Sequence, residues 1–365
     1  MDLTHYRTLG RSGLSVSPLC LGTMTFGTKG WGADADGSAR IFDDYVGAGG
    51  NFVDTADIYS GGESETLVGR FVAERGLADR IVVATKSGFG TGDHPHSGGN
   101  GAKHVKHAVE GSLKRLGLER IDLYWQHVWD MTTPAEEVLE TIGDLKRAGK
   151  IAYWAMSNVP AWYAAKVATL AAQGHGPAPI ALQFEYSLVE RGIENEHVRM
   201  AQEFGMGIVP WSPLGGGLLS GKYRRDDPAH RSGGRAPDLP DGRPAERSGS
   251  GRLAGSNPFG DTKFTDRNFD IVDALVAVAE EIGEAPAAVA LAWLLGRPGV
   301  ASVLAGASRP EQIQANRRSL SLVLPDEHRR RLDEASAPMP TYPATLWSPM
   351  VKRYVFGGQD VAAWR

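Results

Sequence analysis

The chain has a single cysteine, Cys20, in 365 residues. One thiol excludes an intramolecular disulfide framework and any zinc site built on several cysteines, and it suits a reducing compartment such as the cytoplasm. Long apolar runs are also missing. The longest, 285–295, is broken by Pro286 and falls well short of the roughly 20 residues that span a bilayer. The first ten residues hold no apolar h-region, so a secreted precursor is not expected. Charge of one sign is scarce as well. Lys and Arg number 39 against 43 Asp and Glu, a formal net charge of −4, with no basic stripe of the kind nucleic-acid binding uses. Neither a membrane nor a nucleic acid is an expected partner. The G-x-G-x-x-G fingerprint is absent too: the first apolar run, 19–24, leads into Thr25-Phe-Gly-Thr-Lys-Gly30. That argues against an open doubly wound sheet binding a dinucleotide at its first turn. A globular chain remains, 42% hydrophobic, able to bury a large core unaided. An enzyme acting on a small molecule is the first expectation.

Short β-rich runs recur at 19–24, 51–56, 81–86, 121–127, 151–157, 180–186, 207–213 and 302–306. Most are nearly continuous in apolar residues, as strands buried on both faces of a parallel sheet are. Helical spacing fills the gaps. Val105, Ala108, Val109, Leu113 and Leu116 mark a helix over 103–116, and Ile271, Val272, Leu275, Val278, Ala279 and Ile282 mark one over 269–282. Thr133-Pro-Ala-Glu136 reads as a capping box with proline at the first helical position, and Gly149 occupies the place of a C′ glycine. Eight strands alternating with helices predict an α/β fold, a single (β/α)₈ TIM barrel over 1–365. The segment 6–18, with Gly-Arg-Ser-Gly at 10–13, reads as an N-terminal hairpin. The stretch 224–258 breaks the rhythm. It holds seven arginines, five acids, five prolines and six glycines but only two large aliphatics, too few to order it. It is expected to be a long mobile loop after strand seven, because the eighth strand is still to come.

A barrel carries its active site at the C-terminal ends of its strands. The second run ends in Asp54, followed by Tyr59; the third ends in Lys86 and the fourth in His127. A tyrosine is a poor proton donor near neutrality, but a neighbouring ammonium stabilises its phenolate. Lys86 can supply that charge, Asp54 can hold Lys86 in place, and His127 can orient a substrate carbonyl. Such a set protonates a carbonyl oxygen while hydride reaches the carbon. It has no hydride of its own, so a cofactor must bring it. Each residue also has a plain reading: Asp54 as a strand-end cap, Tyr59 as a half-buried tyrosine, Lys86 as a rim lysine. The four together at adjacent strand ends favour catalysis.

These pieces, with Tyr6-Arg-Thr-Leu-Gly-Arg-Ser-Gly-Leu14, Leu21-Gly-Thr-Met24, Asp54-Thr-Ala-Asp-Ile-Tyr59, Ser157-Asn158, Gln183-Phe-Glu-Tyr-Ser187, Trp211 through Lys222 and Gly306-Ala-Ser-Arg-Pro-Glu-Gln-Ile313, resemble the aldo-keto reductases over nearly the whole length. The aryl-alcohol-dehydrogenase-like bacterial members are the nearest in pattern. The resemblance implies a metal-free reductase or alcohol dehydrogenase using NADPH, with Tyr59 as general acid/base supported by Asp54, Lys86 and His127. It implies Ser157, Asn158 and Gln183 on the nicotinamide carboxamide and Trp211 against the ring, where many members have tyrosine. Ser212, Leu214, Gly216, Ser220 and Lys222 would surround the pyrophosphate. Ser308, Arg309, Gln312 and Asn316 would bind the adenosine end, with Asp34 and Thr23-Met24 near the cofactor's edge.

The start of a helix at about Arg309 offers free N–H groups to an anion, and Ser308 with Glu311 fits a capping box. Arg309 is expected on the 2′-phosphate, which sets NADPH preference. Ser308 stands where many members carry a basic residue, so NADH is expected to be tolerated. The substrate pocket is expected to draw on Met24, Phe26, Trp31, Ile58, Phe89, Trp129 and the tail around Trp347. That set suits an aryl aldehyde, a cyclic ketone or a polycyclic alcohol. The histidines 94, 96, 104 and 107 invite a zinc reading, but they lack fixed ligand spacing, and solvated histidines near a substrate loop are preferred. A competing function is a cofactor-binding, redox-sensing regulatory subunit, which the intact Asp-Tyr-Lys-His set disfavours. A sugar-phosphate barrel enzyme would leave Ser157, Asn158 and Gln183 unexplained.

Overall fold

Eight strands pair in parallel, in chain order, into one sheet: β3 (Leu19–Gly22), β4 (Phe52–Asp54), β5 (Val82–Ser87), β6 (Ile121–Gln126), β7 (Ile151–Ser157), β8 (Ala181–Glu185), β9 (Gly207–Trp211) and β10 (Val303–Gly306). β10 pairs with β3. The other side closes just ahead of β10, where Ile208 N donates to Gly299 O at 2.8 Å and Ala301 N to Ile208 O at 2.9 Å. The sheet is therefore a barrel, and the doubly wound alternative is excluded. The computed structural model describes residues 1–28, 30–223, 225, 263–339 and 341–362. The expected loop 224–258 lies outside the described residues, Arg225 excepted.

Apolar residues on both faces of each strand have two destinations. One set packs against the surrounding helices. The other fills the lumen, where Phe52, Leu123, Trp125 and Val209 meet Leu9 and Val16 of the hairpin. Each such fully buried side chain contributes about 1.5–3 kcal/mol, and the lumen is a packed core. The hairpin, β1 (Arg7–Thr8) against β2 (Ser15–Val16), covers the N-terminal mouth. Its turn needs glycine: at Gly10, φ is +63°, and a Cβ would stand 2.2 Å from Ile180 O.

The helices follow the expected spacing, with corrections at their starts. The helix expected over 103–116 is Ala102–Leu116. The one expected over 269–282 is Asp266–Ile282, longer because Thr265 caps it by accepting from Asn268 N. The capping box at Thr133–Glu136 does not form. Asp130 accepts from both Thr133 N and Thr133 Oγ1, at 3.0 and 2.6 Å, so the threonine is spent on the loop and the helix is Ala135–Arg147. Gly149 does take the left-handed C′ position, at φ +70°. The apolar run broken by Pro286 is a buried helix, Pro286–Leu295, with that proline in its first turn. Among the described residues no helix is long and apolar enough to cross a membrane. With the N-terminal mouth plugged, the C-terminal strand ends are the open face.

Candidate active site

The turn between β4 and the helix Glu63–Glu74 brings Tyr59 back over the barrel. Ser60, Gly61 and Gly62 have φ of 51°, 65° and 95°. Ser60 is held in this unfavourable region because its hydroxyl donates to Phe26 O at 3.0 Å and lies 2.8 Å from Thr28 Oγ1. Ser64 pins the other end, donating to Thr23 O at 2.8 Å and lying 2.9 Å from the hydroxyls of Thr23 and Thr55. The loop after β3 and the turn bearing Tyr59 are thus fixed to each other.

Lys86, from β5, is fully buried. Its ammonium pairs with Asp54 Oδ1, donates to Thr55 O at 2.7 Å and reaches Tyr59 Oη at 3.4 Å. Three protons meet three acceptors, which lets a charge persist in the interior. Burial alone would pull Lys86 down, but the Asp54 carboxylate and the Tyr59 phenol hold its proton and raise it above its ordinary value. Burial pushes Asp54 up, against the pull of Lys86 and Gln183. His127 completes the set. Burial, and then the Lys86 charge, push it well below its ordinary value, so it is a neutral imidazole near pH 7. Its ring meets Tyr59 edge-on at 6.0 Å and Phe89 at 4.7 Å. The structure thus brings the four tetrad residues of the sequence reading together.

The residues expected at the nicotinamide join the same network. Gln183 Nε2 donates to Asp54 Oδ2 at 3.1 Å, and Ser157 Oγ donates to Gln183 O at 2.8 Å. Asn158, at φ +53°, donates through Nδ2 to His127 O and to Ser157 Oγ, both at 3.0 Å. Trp211 Nε1 donates to Asn158 Oδ1 at 3.2 Å. The indole N–H thus ties Trp211, through Asn158, to the strand end that carries His127.

Beyond β9, Ser212 and Gly215–Gly217 all have positive φ. Ser212 Oγ accepts from Gly216 N at 3.2 Å, and Ser220 Oγ donates to Gly217 O at 2.7 Å. Leu214 is half-buried beside them. The Lys222 ammonium is 3.5 Å from where a Gly217 Cβ would stand, a cation against bare backbone. After β10 the next helix is Pro310–Ser321, one residue later than expected. Glu311 is not the capping partner: Gln312 Oε1 accepts from Ser308 N at 2.7 Å, Ser308 Oγ at 3.2 Å and Arg309 N at 3.3 Å. Arg309 is exposed and Asn316 buried. Asp34, expected near the cofactor's edge, caps the helix Ala35–Gly47 through Gly37 N at 2.8 Å.

Of the expected pocket residues, Phe89 stands at the site against His127. Met24 follows β3, and Trp31 and Ile58 are exposed. Trp129 packs edge-on against Trp162 at 5.4 Å. Trp347 is exposed in the C-terminal segment. Phe26 is a correction: it is fully buried and packs on Phe71 at 6.3 Å. Of the four histidines weighed for zinc, His104 Nδ1 lies 3.3 Å from His96 O, and His94 Nδ1 accepts from His96 N at 3.3 Å. Asp57 and Glu65 went unnoticed in the sequence. Both are buried, and Glu65 accepts from Thr85 Oγ1 and Arg115 Nε, each at 2.5 Å. No local motif marks them.

The aldo/keto reductase family model matches residues 18–337. An uncharacterized oxidoreductase of Bacillus subtilis is 33% identical over 340 residues, covering 90% of this chain and 95% of the relative. A putative voltage-gated potassium channel subunit beta of Schizosaccharomyces pombe is 34% identical over 337 residues, covering 90% and 92%. An aryl-alcohol dehydrogenase of Pestalotiopsis microspora is 33% identical over 345 residues, covering 91% and 82%. A barrel of parallel strands, a buried Asp-Lys pair facing a tyrosine at the strand ends, and a family match across both make this chain a member of the aldo/keto reductase family, an NAD(P)H-dependent oxidoreductase.

Proposed function

We propose that the chain reversibly reduces aldehydes or ketones to alcohols with NADPH, Tyr59 serving as general acid in reduction and general base in the reverse direction. The observation that carries this reading is the fully buried Lys86 ammonium, whose third proton is aimed at Tyr59 Oη. Tyr59 passes its proton to the carbonyl oxygen, and the positive charge at Lys86 stabilises the phenolate left behind. Neutral His127 offers an N–H to the same oxygen and fixes its direction. Asp54 keeps Lys86 charged in a fully buried setting.

The residues present fit a nicotinamide dinucleotide. Bare left-handed backbone beside the Lys222 ammonium suits a pyrophosphate. Ser212, Leu214, Gly216 and Ser220 would share that task, while Ser157, Asn158 and Gln183 would hold the carboxamide with Trp211 against the ring. Ser308, Arg309, Gln312 and Asn316 would take the adenosine end, Arg309 facing the 2′-phosphate. When bound, the nicotinamide supplies the hydride. Phe89, Trp129, Met24, Trp31 and Trp347 offer aromatic and apolar surface for a small carbonyl substrate.

The test is the loss of NADPH absorbance with a panel of aryl aldehydes and cyclic ketones. Turnover that Tyr59→Phe abolishes supports the reading. The likeness to a channel subunit favours a second reading, a cofactor-sensing regulatory subunit. It predicts tight NADPH binding with no turnover on any of the panel.

A further inference from the structure

Asp54 carries two oxygens, and they are held from opposite sides of the barrel. Oδ1 faces Lys86 on the neighbouring strand β5. Oδ2 accepts from Gln183 Nε2 at 3.1 Å. Gln183 lies on β8, four strands away around an eight-stranded barrel, so its side chain meets Asp54 across the lumen. Both side chains are buried. The indole N–H of Trp125 on β6 also faces Asp54 and favours its ionised form, although it falls outside hydrogen-bond geometry. The hydrogen bond on Oδ2 comes from Gln183.

We propose that Gln183 is a positioning residue for proton transfer: its amide N–H holds the Asp54 carboxylate, and through it Lys86, in register with Tyr59. The chemistry fixes the amide's orientation. An ionised carboxylate only accepts hydrogen bonds, so Gln183 must present its NH₂ to Asp54. Its carbonyl oxygen is then turned away from Asp54 and remains an acceptor for the amide N–H of a nicotinamide carboxamide. That last step rests on the cofactor reading given above; the Asp54 contact does not. One side chain thereby joins the cofactor end of the site to the acid. Without the donor, the buried Asp54 carboxylate would lose its Gln183 hydrogen bond, and the Lys86 contact would lose its geometry.

Gln183→Glu is the informative variant. It keeps the shape and an acceptor oxygen but replaces the donor with a second carboxyl facing Asp54. Two carboxylates that close must share a proton. The titrating or charged groups around Asp54 are Lys86, Tyr59, Cys20 on β3 and His127 behind Lys86. These residues are the same in the variant, and the new carboxyl is the group added among them. At low pH the introduced carboxyl is protonated, donates to Asp54 and leaves the tetrad intact. As pH rises the shared proton is lost, and the contact becomes repulsive.

The experiment compares wild type, Gln183→Glu and Gln183→Met, the last removing the donor without adding charge. The apo protein's thermal midpoint and kcat at saturating NADPH are measured from about pH 5.5 to about pH 8. For Gln183→Glu, the midpoint should fall further behind wild type as pH rises. Its kcat should stay near wild type at the acid end and drop roughly tenfold to a hundredfold at the alkaline end, the scale of one hydrogen bond to a charge. Gln183→Met should lose a similar factor at every pH, with no new alkaline limb. A merely cofactor-contacting Gln183 would raise the NADPH dissociation constant in both variants. It would leave kcat at saturation unchanged in both variants and the apo midpoint of Gln183→Met near wild type, and that result overturns the proposal. If Gln183→Glu does not fold, Gln183→Met decides through kcat at saturation. If wild type reduces no carbonyl, the proposed function fails, and the apo midpoint of the uncharged Gln183→Met still decides the Asp54 contact.

Discussion

Asp57 stands between the two ends of the acid machinery, three residues after Asp54 and two before Tyr59. It is 5% exposed, and its Oδ1 makes no hydrogen bond. Burial, and then the charge of the nearby Glu65, push its carboxyl up to about 7 from an ordinary 3.8; Arg115, the Ile58 amide and Lys86 oppose this. The folded protein therefore holds this proton up to about pH 7, whereas the unfolded chain gives it up near 3.8. Between those values only unfolding releases the proton, so rising pH favours the unfolded chain. The stability contributed by the neutral carboxyl is fully present below 3.8 and gone above 7. Each pH unit in that window costs about 1.4 kcal/mol, so the whole passage costs roughly 4 kcal/mol. Asp57→Asn removes the titration and keeps the shape. Carboxyls that do not interact with Asp57 cancel between the two proteins, so the difference between variant and wild type reads Asp57 and the groups coupled to it. That difference should move by roughly 3 kcal/mol in favour of the variant from about pH 5 to about pH 8.5, read from paired unfolding measurements. A difference flat in pH would mean that Asp57 is ionised in the fold throughout and that Arg115 outweighs Glu65 and burial.

Tyr59→Phe removes the proton donor and little volume. Carbonyl reduction should fall by about 10²–10⁴-fold while NADPH still binds, and a variant that keeps more than about a tenth of wild-type turnover refutes the role. Arg309→Ala should weaken NADPH binding by roughly 1.5–3 kcal/mol and barely change NADH binding. Equal losses in titrations of both cofactors would assign Arg309 to the helix or the adenine. Prolonged EDTA treatment should leave activity intact, since Tyr59 supplies the proton and His127 the polarising hydrogen bond. Activity lost to EDTA and restored by zinc would return His94, His96, His104 and His107 to consideration.

The barrel was legible because its signal is local. A strand buried on both faces must be apolar at consecutive positions, and each of the eight expected runs holds a strand. The tetrad was legible for a related reason: in a barrel a polar residue at the end of such a run faces the open mouth, whichever strand carries it. What was not legible depends on which residues compete for a partner. Thr133 and Glu136 satisfy a capping pattern, yet Asp130 takes the threonine hydroxyl and amide. Ser308 and Glu311 satisfy it too, yet Gln312 Oε1 takes the free N–H groups. Phe26 has the composition of a pocket residue, but its turn points it at Phe71. The contact between Gln183 and Asp54 spans 129 positions of sequence. No window along the chain contains both residues, and neither requires the other for its own strand. Barrel closure alone makes them neighbours, by setting strands two and six on opposite sides of one lumen. A proton-transfer site built there takes its exactness from closure, so a substitution that loosened the barrel at β8 should disturb Tyr59 through Asp54 and Lys86.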